Sequence, residues 1–396
     1  MDRAHNRAVL GSHLGLVVIV ANARMQRSND TFYPFEQEAN FWYLTGIEEP
    51  DWLLILDGTA GKSWLVAPDV DATHHTFDGS LDATSAKAIS CVDAVLTHDE
   101  GQILLGKLAK KHSVVHTIGE HPDKRHFNFV LNPAQHQLQS QLERTFRMVR
   151  DCRLDLAKQR AIKQPDEIKA MQQAIKLTVE AFEHVKSHMR EYQYEYQVAA
   201  EYDYWFARAN ASHAYDPIVA AGGNACTLHY VKNDSRLKSR QMVLIDIGAR
   251  VNGYAADITR TYAYGAMTRR QVEVYQALQY AQQEIIKLLV PGLPITEYIA
   301  SVDSIMQRSL IELGLITDKN DEKYHLYFPH SVSHGLGIDV HDSLGRPEVF
   351  AEGMVLTVEP GIYIPAEAIG TRIEDDILIT HSGHVNLSKS LSTEPH

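Results

Sequence analysis

Two aspartates, Asp246 and Asp257, flank an Asn252-Gly253 dipeptide that joins two apolar, alternating runs. Asn-Gly in that setting is the strongest short-range signal for a β-hairpin. If these two residues form the loop, position 257 falls opposite 248 and 259 opposite 246, so the aspartates become diagonal neighbours on one face. A four-residue loop would set them directly opposite, whereas a three-residue loop without a bulge would separate them. Two carboxylates held close repel unless a cation lies between them. A solvated pair on an exposed strand is the ordinary alternative, but Asp246 follows Val243-Leu244-Ile245, which predicts a buried setting. The chemistry these residues suggest is therefore metal binding.

Further donors follow in the sequence. His330-Ser331-Val332-Ser333-His334-Gly335-Leu336-Gly337-Ile338-Asp339-Val340-His341 places three histidines in one short segment, with glycines that let backbone approach closely. The cluster points to function without telling which histidine would bind a metal. Glu359 ends an apolar run at the Pro360-Gly361 turn. In Arg372-Ile373-Glu374-Asp375-Asp376, Arg372 and Glu374 share a strand face by period. Asp375 should face the other way, as an ordinary surface charge, and Asp376 shares the Glu374 face. Asp246, Asp257, Glu359 and Glu374 together balance two divalent cations, and a bridging hydroxide would leave the cluster near one negative charge. Four carboxylates with one imidazole favour hard or borderline ions such as Mn²⁺, Co²⁺ or Zn²⁺. Two such ions ~3.5–4 Å apart can activate a shared water and polarise a carbonyl, which is metal-assisted hydrolysis.

The elements that must position these residues can be read from period and punctuation. Strand signals occupy Met242–Ala249, Tyr254–Tyr262, Met354–Glu359 and Arg372–Thr380. A long amphipathic helix begins near Pro165, with Ile168, Met171, Ile175, Val179 and Phe182 on its apolar face. Thr268-Arg269-Arg270-Gln271 has the form of a capping box before a helix over Val272–Leu289, and another helix fits Thr296–Leu313. Helices and antiparallel strand pairs segregated in this way indicate an α+β catalytic domain. Earlier, short apolar runs at Leu16–Ala21, Trp52–Leu56, Trp64–Ala67 and Ser113–Ile118 alternate with helical stretches such as Gly101–Lys110, which reads as a smaller α/β domain. With the junction in Cys152–Lys163, the expected domains are 1–152 and 153–396.

Bulk properties set the outer bounds. A chain of 396 residues exceeds the size at which one core usually stops growing. A net charge of -12 argues against nucleic acid or an anionic membrane as partner. Cys91, Cys152 and Cys226 are widely spaced and form no CxxC pair, which suits a reducing compartment. No apolar run is long enough to span a bilayer. Arg3, Arg7, Leu14–Val20 and Ala21-Asn22-Ala23 imitate a secretory signal, but the β-branched Leu16–Val20 reads better as a buried first strand. Gly61-Lys62-Ser63 lacks the leading glycine of a phosphate loop, because Leu56 stands in its place. Four Asn-x-Ser/Thr matches have no secretory context, and no Gly-x-Ser-x-Gly is present.

In the order Asp, Asp, His, Glu, Glu, the candidate ligands resemble those of the pita-bread metallopeptidases, which include methionine aminopeptidase, aminopeptidase P and prolidase. The aminopeptidase P branch is similar over nearly the whole chain. The amino domain carries Ser28-Asn29-Asp30, Tyr33-Pro34-Phe35 and Phe41-Trp42-Tyr43-Leu44-Thr45-Gly46. The catalytic domain carries Leu228-His229-Tyr230, Asp257-Ile258-Thr259-Arg260-Thr261, Ser333-His334, Asp339-Val340-His341-Asp342, Val358-Glu359-Pro360-Gly361 and Arg372-Ile373-Glu374-Asp375-Asp376. The resemblance implies a pita-bread catalytic domain behind an amino-terminal α/β domain, and hydrolysis of the bond between a first residue and a following proline. It implies two divalent ions, manganese foremost and Co²⁺ or Zn²⁺ as alternatives. Asp246 would chelate one ion, His334 and Glu359 the other, and Asp257 and Glu374 would bridge both. Glu359 would also handle the proton of the attacking water. His341 and His229 would hold the substrate carbonyl and the group beyond the scissile bond, His330 would line the proline pocket, and Arg372 would support substrate and Glu374. The implied enzyme is cytoplasmic, acts on proline-containing peptides and self-associates as a dimer or tetramer.

Some features depart from that pattern. The link from Pro360 to Gly370 is shorter than in many bacterial relatives, the start of the chain is trimmed, and Gly335 stands where some relatives have a bulky aromatic. The same five ligands serve a prolidase restricted to Xaa-Pro dipeptides, and a metal-free binding protein can share the fold. A cleft closed by a charge that reads the proline carboxylate would mark the prolidase; loss of ligands would mark the binding protein.

Overall fold

The structure is a computed structural model and describes residues 1–119 and 130–396. The chain forms two compact units, Met1–Gln159 and Arg160–His396. In the first, Leu16–Val20 is a central strand of a six-stranded sheet, antiparallel to Leu53–Asp57 and parallel to Val114–Thr117. Leu16, Val17, Val18 and Ile19 are at most 1 % exposed, which explains why an unbroken β-branched run suits this position. A helix over Arg3–Leu14, capped by Asp2, precedes the strand. Period did not predict it, because its buried face is Asn6, Arg7, Leu10 and Gly11 rather than an apolar stripe. The helix expected over Gly101–Lys110 spans His98–Ala109 and starts at a capping box of Thr97 and Glu100.

The second unit repeats one element order: two helices, then a strand hairpin. The first set is Pro165–His188, Glu195–Arg208 and the aspartate hairpin; the second is Arg269–Leu288, Ile295–Glu312 and the glutamate hairpin. Pro165 occupies the first turn of its helix as expected, and Met171, Ile175, Val179 and Phe182 are buried along it. The helix packs with Glu195–Arg208 against Val243, Ile245, Ile247 and Ile258 of the aspartate hairpin. A separate apolar cluster joins Val274, Leu278, Ile285, Val302 and Met306 to Leu356, Val358, Ile373 and Ile377 of the glutamate hairpin. All strand pairs of this unit are antiparallel.

Three of the four expected strands are each broken in two. In the aspartate hairpin the register is that of the two-residue loop, with Asp246 opposite Thr259 and Val251 opposite Tyr254. Asn252 and Gly253 both have positive φ, as a type I′ turn requires. The ladder is nevertheless cut at Gly248 and Asp257 into two sheets. Backbone approach forces the bend: a Cβ on Gly248 would lie 1.7 Å from the Ala256 carbonyl oxygen. The run Arg372–Thr380 likewise divides into Ile369–Arg372, paired with Gly361–Ile364, and Asp375–Thr380, paired with Val355–Val358. Between them the Glu374 N–H donates across to Thr259 O at 3.0 Å. Asp375 is not the surface charge that strand period suggested. It is 2 % exposed and accepts a 2.7 Å bond from the buried Arg260 guanidinium, because helix Arg269–Leu288 and the Leu391 segment cover that side.

Candidate metal centre

The two hairpins bring their carboxylates to one cavity of about 630 Å³. Asp246 sits near the end of Gln241–Ile247, a strand paired on both sides, so its carboxylate is held at a buried position. Asp257 lies at the bend of the same hairpin. The Tyr215 hydroxyl approaches Asp246 Oδ1 and Asp257 Oδ1 at 2.6 Å each, which shows that the two aspartates converge as the hairpin register required. From the second hairpin come Glu359, just beyond Val355–Val358, and Glu374, in the gap between two strands. Donor atoms of Asp257, His334 and Glu374 all lie within 4.8 Å of one another. His334 Nε2 is 3.4 Å from both Asp257 Oδ2 and Glu359 Oε1, so all five expected ligands belong to one connected cluster.

The electrostatics follow from burying like charges together. Burial, reinforced by Asp257, Glu359 and Asp246, holds the Glu374 carboxyl well above the usual range. Burial also pushes Glu359 up to about 7 and raises Asp246, with Arg372 opposing both. Burial alone would lower His334, but the Asp257 and Glu359 carboxylates outweigh it and raise the imidazole to about 9. His330 Nδ1 lies 3.7 Å from Glu359 Oε2, but burial, with Arg372 beside it, prevails and brings the imidazole down to about 4. A buried set of four carboxylates and one imidazole suits divalent cations, which would offset the repulsion among the carboxylates. Thr259 fixes Glu374 by a 2.7 Å hydroxyl bond, and Thr357 Oγ1 joins the His334 N–H to Glu359.

Other expected residues fall around this cluster. His229, His330 and His341 all line the cavity. His330 Nε2 is 2.9 Å from the Tyr363 hydroxyl, and the His341 ring stacks on His334 with centroids 4.1 Å apart. Arg372 Nη2 bonds Asp246 Oδ2, Nη1 donates to Tyr363 at 2.8 Å, and Nε donates to Thr259 Oγ1 at 3.1 Å. Its link to Glu374 runs through Thr259 Oγ1, which bonds both side chains. Both oxygens of Asp246 are engaged by protein donors, Tyr215 and Arg372. Gly335 does not face the cavity; a Cβ there would meet the Asp342 carbonyl oxygen at 2.1 Å. Sequence reading missed Tyr215 and Tyr363, and also Asp376, whose buried Oδ2 accepts from the Asp257 N–H at 3.3 Å. Neither tyrosine carries a spacing signal. Asp376 was visible only as a residue on the Glu374 face.

Paired hairpins that deliver acidic and imidazole donors to one buried cleft define a centre of the metallopeptidase type. Residues 169–381 match metallopeptidase family M24, and residues 3–116 match the aminopeptidase P N-terminal domain. The chain is 34% identical over 406 residues to a Xaa-Pro aminopeptidase of Escherichia coli (strain K12), covering 96% of this chain and 91% of that one. It is 33% identical over 404 residues to Xaa-Pro aminopeptidase 3 of Homo sapiens, covering 96% and 79%. The fold superposes on aminopeptidase P from E. coli with the inhibitor Pro-Leu at a TM-score of 0.86, with 31% identity, covering 100% and 97% of the two chains. For proline aminopeptidase P II from Yersinia pestis the TM-score is 0.84 at 32% identity, covering 100% and 98%. The chain belongs to metallopeptidase family M24 and carries an aminopeptidase P amino-terminal domain ahead of the catalytic one. Membership in that family implies divalent metal ions.

Proposed function

We propose that this protein is a Xaa-Pro aminopeptidase that removes the residue preceding an N-terminal proline, using two divalent ions held by Asp246, Asp257, His334, Glu359 and Glu374. The observation that carries this reading is the convergence of Asp257, His334 and Glu374 in the cavity. When bound, the ions supply Lewis acidity for activating water and polarising a carbonyl oxygen. The carboxylate of Glu359 accepts the proton of the attacking water and passes it to the leaving proline nitrogen. His341 holds the scissile carbonyl, and His229 holds the group beyond it. His330 is kept neutral by burial, is held from behind by the Tyr363 hydroxyl and, with the apolar side chains of Ile218, Leu228 and Val231, forms the wall for the proline ring. Arg372 supports the site by bracing Asp246 and Tyr363. That aminopeptidase P from E. coli takes Pro-Leu as an inhibitor supports a proline-containing peptide as ligand.

An aminopeptidase is favoured over a strict dipeptidase by the charge of the wall. Among the described residues that line the cavity, the single guanidinium is Arg372, which is already engaged by Asp246 and Tyr363, and no lysine is present. A dipeptide's proline carboxylate therefore meets no unengaged permanent cation there. The hard and borderline donor set favours Mn²⁺, with Co²⁺ or Zn²⁺ as substitutes. Three unpaired cysteines, two of them accessible, suit a cytoplasmic setting, and the family resemblance suggests a dimer or tetramer. The described residues contain no helix long and apolar enough to cross a membrane. The test is cleavage of Xaa-Pro and Xaa-Pro-Yaa peptides after metal removal and restoration of Mn²⁺. Metal-dependent cutting of the tripeptide is expected. Cutting of the dipeptide alone would make it a prolidase, and no cutting with any divalent ion would make it a binding protein.

A further inference from the structure

His334 and His341 bracket a loop that closes on itself. The Asp342 N–H donates to Gly335 O at 2.8 Å, and the two residues form an isolated antiparallel bridge. The residues next to that bridge, His334 and His341, are thereby brought into their stack. The Asp342 side chain does not line the cavity; its oxygens meet Arg160 Nη2 at 3.0 Å and Lys163 Nζ at 3.4 Å. Arg160 also reaches Asp339 Oδ2, within the same loop, at 2.8 Å. The side chains of Arg160, Lys163 and Asp342 are 5%, 1% and 3% exposed.

An ion cluster buried this deeply yields little net stability, because desolvating the charges offsets their attraction; what it can supply is a fixed geometry. Close packing points the same way. A Cβ on Gly337 would lie 2.1 Å from Asp342 Oδ2 and 3.1 Å from Lys163 Cε, so the carboxylate sits where only glycine leaves room. The loop backbone is tied from a further side, since Arg250 donates to Ile338 O at 2.5 Å and the Ala255 N–H to Gly337 O at 2.8 Å. Arg160 and Lys163 both precede residue 169, where the match to the metallopeptidase family begins.

We propose that Arg160 and Lys163 are positioning residues for the reaction: by gripping Asp342 from outside the cavity they hold His341 against His334. The inference rests on the reading of His341 as the residue that holds the scissile carbonyl. The test is a double-mutant cycle of Lys163→Met with His341→Ala, assayed for kcat and KM on a Xaa-Pro-Yaa peptide. Lys163→Met should lower kcat by ~10-fold or more, the scale of a misplaced catalytic group. KM should hold within about twofold, Lys163→Arg should restore the rate, and the methionine should cost nothing further in the His341→Ala background. Losses that multiply across the two sites, or an unchanged kcat in Lys163→Met, would overturn the proposal. Asp342→Asn keeps the shape of the carboxylate without its charge and reads the same coupling if the methionine variant does not fold. A crystal structure of the variant separates this idea from the proposed function. A widened His334–His341 stack supports it even if the wild type cleaves neither peptide, and an unchanged 4.1 Å separation refutes it.

Discussion

Replacing Glu374 with Gln should leave the metal-free protein as stable as the wild type while removing most of its response to metal. The Glu374 carboxyl is 2 % exposed, and burial among Asp257, Glu359 and Asp246 raises its pKa well above the usual range. Burial thus favours its protonated form where no cation is bound, and glutamine is the nearest neutral replica of that form. The Thr259 hydroxyl, 2.7 Å away, can still donate to the amide oxygen. At a metal concentration about 100 times Kd, the wild type gains ~2.7 kcal/mol. At ~2–4 °C per kcal/mol for a unit of this size, that is a Tm rise of ~5–10 °C. If loss of the carboxylate weakens binding about 100-fold, the same concentration yields only ~0.4 kcal/mol. The rise then shrinks to ~1–2 °C. Thermal unfolding of both proteins, in chelator and in Mn²⁺, measures the two quantities side by side. A metal-free variant weakened by more than ~2 kcal/mol would mean that the wild-type carboxylate is ionised and bonded, against the reasoning. A full metal response in the variant would remove Glu374 from the ligand set.

The pH dependence of the chelated protein has a definite sign. Glu359, raised to about 7, stabilises the fold below pH ~4.5 and loses that contribution as pH rises through 7. His330, lowered to about 4, opposes it, because its contribution is present above pH ~6.5 and lost as pH falls towards 4. His334, raised to about 9, is fully stabilising below pH ~6.5 and loses its contribution through 9. Asp246, Glu374 and Asp376, also raised by burial, lose their contributions in the same direction as Glu359, so Tm should fall as pH rises from 5 to 9; a rising Tm between 6.5 and 9 would contradict these assignments. In saturating Mn²⁺ the fall should vanish, since the ligands then bind as deprotonated groups. Arg260→Met should destabilise the fold by ~3–5 kcal/mol, because it strips a buried partner from Asp375 and a donor from the Glu374, Leu391 and Ser392 carbonyls. Denaturant titration decides, and a loss below ~1 kcal/mol would show those groups to be solvated. Gly335→Ala should lower Tm by several degrees through its clash with Asp342 O, and an unchanged Tm would mean that the loop can open without cost.

What the sequence disclosed was the part of the site written in local chemistry. Asn252-Gly253 fixes a hairpin register by turn geometry alone, and the observed pairing of Asp246 with Thr259 follows from it. Pro165 and the Thr268–Gln271 capping box are likewise local signals, and both helices start where these residues place them. The breaks at Gly248 and at Ile373–Glu374 were not legible, because a carbonyl approach and a cross-hairpin hydrogen bond create them. Asp375 was misread for the same reason. Strand period tells which residues share a face but not that a helix will cover the other one. Tyr215 lies far from the aspartates in sequence and meets them only through the fold, so no spacing could have marked it.

The two apolar clusters of the catalytic unit divide the donors between them. Asp246 and Asp257 stand on the hairpin packed in one cluster, while Glu359 and Glu374 adjoin the strands packed in the other. The first half offers two carboxylates without an imidazole, and the second, with His334 tied to Thr357, lacks the two aspartates. A sub-global opening that parts the halves and leaves the rest of the chain folded would therefore speed the escape of a bound ion to excess chelator. The dissociation rate of the ion is then sensitive to that opening, readable without a label and slowed by whatever tightens the seam between the two hairpins.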